Sequence, residues 1–142
     1  MDQERAIVGV SGRRVKPSIT VASSDRRHQG NYNSRKGQGL TPVDFVGHWW
    51  VWKTEWTSAM FALPSYNLWT GEDIEFCAKL KMLLGVQAIT LNYPDADHRP
   101  ENYDVSATLQ GVASFKVSGT NEERIAVMQY WITQGWTPLE FE

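Results

Sequence analysis

Cysteine is nearly absent from this chain, and so are several other features that would narrow its function. Cys77 is the one cysteine among 142 residues, so no disulfide can form within a single chain. The sequence has no Asn-x-Ser/Thr glycosylation site, no signal-peptide pattern and no run of about 18 apolar residues. We therefore expect an intracellular and soluble protein, or a virion component, that is not secreted by a signal peptide.

The chain also lacks the short motifs that mark many catalytic and phosphate-binding sites. It contains no Gly-x-Ser-x-Gly elbow, no P-loop and no dinucleotide-binding glycine pattern. Cys77 falls on the apolar side of a predicted helix, where a cysteine usually packs as a small hydrophobic residue. His28, His48 and His98 lie far apart in the sequence. These observations predict a protein that is not an enzyme and needs no cofactor.

What the chain does have is an uneven distribution of charge. Residues 1–40 contain eight Lys or Arg against three Asp or Glu, a net charge of +5, whereas residues 41–142 contain six against thirteen, a net charge of −7. Residues 23–39 are polar, with Tyr32 as their one large apolar side chain, so they cannot cover a core. A basic segment beside an acidic body is typical of an interaction tail. We therefore divide the chain into a basic N-terminal arm, residues 1–40, and a single α+β domain, residues 41–142.

Two runs rich in β-branched residues lie inside the arm. They occupy residues 6–10 and 18–22 and are separated by a polar stretch that ends in Pro17. Runs of this length and composition predict strands, which here would form a loose hairpin or two edge strands.

The first helix of the domain is predicted in the segment that ends at Pro64. Thr41 can cap it, Pro42 suits the first helical position, and Asp44 completes a capping box. A strand is the alternative, because large side chains also alternate over residues 50–56. We prefer the helix because side chains spaced by three or four form one continuous stripe: Phe45, Trp49, Trp52, Trp56, Ala59 and Leu63.

Two further helix starts are visible downstream. Thr70 precedes residues 71–84, which are predicted to be helical as far as a stop at Gly85. Thr120 begins a third helix that runs towards Gly135.

Segments rich in Val, Ile, Thr and aromatic residues predict the strands. They are residues 86–92, 103–109 and 112–118, with residues 137–141 as a further short edge strand. The fold class predicted is α+β, with an antiparallel sheet of three to five strands and three helices, preceded by an extended basic N-terminal arm.

The acidic loop that contains Asp95, Asp97 and His98 is the most enzyme-like part of the sequence. Its oxygen ligands would suit a hard cation, but it lacks the glycine and the twelfth-position glutamate of a calcium loop. We expect no metal site here, and a small metal-dependent enzyme is kept as the second alternative function.

Basic and aromatic side chains are the candidate contacts with a partner. Four tryptophans between residues 49 and 56 exceed what one helix face can bury, so we expect Trp50 to face a partner. Tyr32 is the one aromatic group of the arm that could stack on a base. The basic candidates are Arg13, Arg14, Lys16, Arg26, Arg27, Arg35 and Lys36.

The leading hypothesis is a non-enzymatic structural protein that self-associates through its N-terminal arm and sheet surface. The arm at +5 complements the body at −7, and a viral or phage virion component is the most concrete form of this homo-oligomeric assembly. The first alternative is a nucleic-acid-binding module whose arm contacts phosphates. No membrane partner is expected.

Overall fold

A computed structural model describes residues 5–20, 29–33, 40–67, 69–90 and 120–141. Within these residues the fold class is α+β, as the sequence predicts. The strands and helices, in chain order, are β1 (Ala6–Val15), β2 (Gln29–Asn33), β3 (Thr41–Val43), β4 (Phe45–Val51), α1 (Ala59–Ala62), α2 (Glu72–Leu84), β5 (Gln87–Thr90) and α3 (Thr120–Thr133). Short 3-10 helices lie at Pro17–Thr20, Thr54–Trp56 and Leu139–Phe141.

Strand β1 is the centre of the sheet. Strand β4 pairs with it in antiparallel orientation along one edge. On the other edge β5 pairs with the first half of β1 in parallel orientation, and β2 pairs with the second half in antiparallel orientation. The sheet is therefore mixed, which corrects the antiparallel sheet expected from the sequence. The parallel pair is possible because the long connection from β1 to β5 includes a helix, α2.

The sheet curls back on itself at Asp44. This residue alone separates β3 from β4, and its N–H donates to the Arg13 carbonyl at 2.8 Å. Because β4 lies beside β1 while β3 pairs with β5, the bent strand closes the sheet around a tight interior. A side chain at Gly12 would collide with Thr90 and would lie 2.8 Å from Val43 Cγ1, so glycine is required for this close approach.

Helices α2 and α3 confirm two sequence predictions. Helix α2 ends at Gly85, whose φ of 66° is left-handed, and the chain after α3 turns at Gly135, whose φ is 110°. The start of α2 differs from the prediction, because Gly71 with φ 84° precedes the helix and makes no side-chain cap, so Thr70 is not the capping residue. The two helices pack on each other, and α2 also contacts β4 and β5.

The helix predicted from Thr41 towards Pro64 is wrong. Residues 41–43 and 45–51 form β3 and β4, and the segment is helical only in the short 3-10 helix at Thr54–Trp56 and in α1. The capping interpretation fails because the Asp44 carboxylate does not serve a helix start. It accepts hydrogen bonds from two distant backbone N–H groups, those of Val15 and Leu139, both at 2.7 Å.

The β-branched run at residues 6–10 lies inside the central strand, so its prediction as part of a hairpin or an edge strand is wrong. The physical reason is that β1 pairs its backbone N–H and C=O groups on both edges, with β4 on one side and β5 and β2 on the other, and its Ile7 and Val15 side chains are fully buried. Residues 6–15, assigned from the sequence to the arm, therefore belong to the core of the sheet.

Other strand predictions have different outcomes. Of the strand predicted at 18–22, residues 18–20 belong instead to the 3-10 helix Pro17–Thr20, in which the Ile19 N–H donates to the Lys16 carbonyl at 2.9 Å, and residues 21 and 22 lie outside the described residues. The C-terminal strand is also replaced by a 3-10 helix, at Leu139–Phe141. Strand β5 confirms the prediction at 86–92 over Gln87–Thr90. The predicted strands at 103–109 and 112–118 lie outside the described residues.

Candidate interaction surface

Three exposed aromatic side chains lie on the segment that contains α1 and leads into α2. We call residues 59–70 the aromatic connector. Phe61 is 78% exposed, Trp69 56% and Tyr66 42%, and the Tyr66 ring stacks on Tyr130 with centroids 4.8 Å apart. Fully burying a side chain of this size stabilises by about 1.5–3 kcal/mol, so a partner that covers these rings gains free energy.

The first anchor of the aromatic connector is a buried lysine. Lys79 lies on α2, and its side chain has no exposed surface. Its ammonium donates to the carbonyl oxygens of Met60 and Leu63, both at 2.8 Å, and to Glu75 Oε1 at 3.0 Å. The ammonium also lies 5.4 Å from the centroid of the Trp131 ring. All three ammonium donors are thereby used, and two of them hold the backbone of the connector against α2.

The second anchor is the carboxylate that pairs with this lysine. Glu75 Oε2 accepts hydrogen bonds from the Tyr66 N–H at 2.9 Å and from the Trp131 indole at 3.3 Å. Burial by itself raises the pKa of Glu75, but the hydrogen bonds from Tyr66, Ser65 and Lys79 outweigh it and hold the pKa below its ordinary value. The carboxylate is therefore a charged structural acceptor, and its bonds link the connector, α2 and α3.

The C-terminal end of the connector is fixed against α3. The Asn67 side-chain oxygen accepts from the N–H groups of Trp69 at 3.3 Å and Thr70 at 3.1 Å, and its amide nitrogen approaches Glu123 Oε2 at 3.4 Å. Gly71 follows with φ 84°, and a Cβ at this position would lie 2.9 Å from a Val127 methyl group. The backbone that carries Trp69 is thus held on both sides, while the ring stays exposed.

Carboxylates lie at the two helix starts next to the connector: Glu72 comes shortly after Trp69 in the sequence, and Glu122 precedes Glu123, which Asn67 contacts at 3.4 Å. Glu72 and Glu122 are exposed and lie in the first turns of α2 and α3. Within the described part of the chain neither has an ion-pair partner, whereas Asp73 pairs with Arg124 at 2.9 Å. The helix starts that adjoin the connector therefore carry exposed negative charge.

The described residues offer little for covalent or metal chemistry. Burial raises the pKa of the Cys77 thiol to about 12, so at neutral pH it carries almost no thiolate. Across the ranges that the structure describes, no three His, Cys, Asp or Glu side chains are grouped so that they could hold a metal ion. The Asp95, Asp97 and His98 loop lies outside those ranges. What this arrangement does provide is an exposed aromatic surface on a backbone that buried hydrogen bonds anchor.

The basic residues predicted as contacts are only partly placed. Arg13 and Arg14 are half-buried on β1, and Arg14 Nε donates to the Pro42 carbonyl at 3.1 Å. Lys16 is exposed just after β1. The remaining four basic candidates, Arg26, Arg27, Arg35 and Lys36, lie outside the described residues.

No described contact joins the two aromatic residues predicted to bind a partner, Trp50 and Tyr32, to the aromatic connector. Trp50 is half-buried on β4 and packs with its ring centroid 5.3 Å from that of Trp52 and 5.6 Å from that of Phe76. It therefore has neighbours within its own chain. Tyr32 lies in β2, where it pairs with Gly12 through the backbone.

Sequence reasoning missed Phe61, Tyr66 and Trp69 as surface residues. Trp69 comes directly before Thr70, the residue predicted to start the second helix, and its ring is exposed, whereas Ile74 on α2 is fully buried. The sequence does contain a signal for this surface, because three aromatic residues occur between Ala59 and Gly71 without helical or strand periodicity. Aromatic residues outside a periodic pattern are poor candidates for a core and better ones for a contact surface.

No helix within the described ranges is both long enough and apolar enough to cross a bilayer. Comparison with known proteins gives no match to a protein-family model, to a curated protein or to a solved structure.

Proposed function

We propose that this protein is a non-enzymatic assembly subunit that associates with further copies of itself. The observation that carries the proposal is the aromatic connector, which exposes three aromatic rings although its backbone is anchored by buried charged groups. A rigid backbone lowers the entropy cost of binding, because little of the surface has to be ordered when a partner docks.

Charge supports association between copies of the same chain. The first 40 residues carry +5 and the remainder −7, so one copy offers both of the signs that a contact with a second copy needs. With β1 placed in the sheet, Lys16 and the basic residues between β1 and β3 remain as candidate contacts of the arm. Repeated contacts between identical subunits build symmetric oligomers and shells, and a virion component is the most concrete form of this proposal.

Sedimentation velocity over a wide range of protein concentration tests the proposal. The expected result is a mass that rises above that of one chain as the concentration increases. Phe61→Ser and Trp69→Ser should each weaken association by about tenfold or more, as truncation of a buried aromatic anchor usually does.

Val51→Ser is a matched control, because Val51 is 56% exposed, as Trp69 is, but lies on β4 outside the connector. It should leave the association unchanged. A mass of one chain at every concentration would overturn the proposal, and so would an increase in mass that occurs only when nucleic acid is added.

A further inference from the structure

We infer that the aromatic connector binds the arginine-bearing N-terminal residues of a second copy of this chain. This inference rests on the proposed self-association and names the partner segment for the same surface. The interface is therefore heterologous, with the connector of one copy facing the basic residues of the next.

The chemistry of the surface favours an arginine-rich partner over an apolar one. The exposed face of Trp69 can stack with a guanidinium group, and the exposed carboxylates of Glu72 and Glu122, on the two helix starts next to the connector, can accept its hydrogen bonds. Each of the N-termini of α2 and α3 carries roughly half a positive charge. Together they do not balance the negative charges of Glu72, Glu122 and Glu123. The surface thus stays negative and attracts cations.

The molecule already contains one example of this recognition. The Arg124 guanidinium lies 5.8 Å from the centroid of the Phe45 ring and is bound to Asp73 Oδ2 at 2.9 Å. An aromatic face and a carboxylate together hold one planar cation in this arrangement. The exposed pair of Trp69 and Glu72 has the same two components.

The chain itself supplies a matching partner. Arg26 and Arg27 are adjacent in sequence, as are Arg35 and Lys36, and the two pairs flank β2. Arg13 and Arg14 are less suited to a second copy, because both are half-buried on the central strand. The net charge is +5 over residues 1–40 and −7 over the rest, so the inferred contact pairs a positive segment of one copy with a negative surface of the other. A lysine-only segment would lose the planar stacking that an arginine provides.

Charge reversal tests the pairing. One variant carries Glu72→Lys and Glu122→Lys, and the other carries Arg26→Glu and Arg27→Glu. Each variant alone should associate about tenfold or more weakly than the unmodified chain, because like charges then face each other across the contact. Mixing the two variants should restore association, and sedimentation should show a complex that contains both.

Glu140→Lys is the matched control, since Glu140 is exposed on the C-terminal 3-10 helix, away from the connector. If the unmodified chain self-associates but neither charge reversal weakens it, or if mixing restores nothing, this inference is overturned while self-association stands. If the unmodified chain stays a monomer, both proposals fail. Circular dichroism of each variant shows that the surface substitutions leave the fold intact.

Discussion

Two buried carboxylates join distant parts of the molecule, and they are held in different ways. Asp44 lies at the bend between β3 and β4 and accepts the N–H groups of Val15 and Leu139, both at 2.7 Å. Glu75 lies on α2 and accepts the Tyr66 N–H at 2.9 Å, but it also binds the Lys79 ammonium at 3.0 Å. Each carboxylate therefore fixes a loop or a chain end, and only Glu75 has a buried ammonium bonded to it.

The pKa values of the two carboxylates shift in opposite directions. Burial raises the pKa of Asp44, and the hydrogen bonds from Val15 and Leu139 with the charges of Lys81 and Arg14 do not compensate for it. For Glu75 the hydrogen bonds, including the one from Lys79, outweigh burial and the pKa is lowered. The two backbone N–H donors do not offset burial at Asp44, whereas at Glu75 one backbone N–H, the Ser65 side chain and the Lys79 ammonium together do.

The largest expected loss of stability comes from removing the Lys79 ammonium. Lys79→Met leaves the Glu75 carboxylate buried without its counter-charge and the carbonyls of Met60 and Leu63 without a donor. We expect the free energy of unfolding to fall by about 3–5 kcal/mol, measured by urea denaturation.

Lys81→Met on the same helix is the control, since the Lys81 ammonium is bonded at the surface to the Thr137 carbonyl at 2.7 Å. Its cost should be about 1 kcal/mol or less. Adding Glu75→Gln to Lys79→Met should recover part of the loss, because the unpaired charge is then removed. Equal costs for the two methionine variants would contradict the role given to Lys79.

The next largest loss of stability is expected from substitutions of Asp44. Asp44→Ala leaves the Val15 and Leu139 N–H groups without an acceptor, and we expect it to destabilise by about 2–4 kcal/mol in the same urea assay. Asp44→Asn keeps one acceptor oxygen and removes the charge, so it should cost less than Asp44→Ala. A cost for the asparagine variant as large as for the alanine variant would show that the charge, and not the hydrogen bonds, holds the bend.

The smallest expected effect is on how the free energy of unfolding depends on pH. Asp44 and Glu75 should contribute to this dependence with opposite signs. Because the pKa of Asp44 is raised, the unfolded chain loses this proton first as the pH rises above the ordinary value of 3.8, and the free energy of unfolding falls. Because the pKa of Glu75 is lowered, its contribution is fully present above the ordinary value of 4.5 and is lost as the pH falls through the folded-state pKa.

Urea denaturation at a series of acidic pH values measures both. The cost of Asp44→Asn should shrink as the pH rises, whereas the cost of Glu75→Gln should grow as the pH rises towards 4.5. Slopes of the same sign would mean that the two environments do not differ as described.

The helical part of the fold could be predicted from the sequence because its signals are local. Helix α2 with its stop at Gly85, and α3 with the turn at Gly135, follow from spacing and glycine placement. The segment from Thr41 could not be assigned correctly, because its large side chains fit both a helical and a strand period. The contacts that decide between them, from Asp44 to Val15 and Leu139, span 29 and 95 residues.

The candidate interaction surface was harder to predict than the fold. The spacing of Glu75 and Lys79 is that of an ordinary ion pair on a helix surface, and nothing local shows that the connector buries it. The exposure of Phe61 and Trp69 likewise depends on how the connector lies across α2. Charge asymmetry, by contrast, is visible in the sequence without any fold.

The central position of β1 has a consequence for how the chain is made. Its parallel partner β5 follows about 75 residues after it, which at typical translation rates of 5–20 residues per second takes roughly 4–15 seconds. Pairing over such a separation is slow even for a complete chain, because the long loop must close before the contact forms. Strands β2 and β4 come sooner and can pair with β1 first, so the part of β1 that waits for its partner is the edge of residues 6–9 that β5 covers.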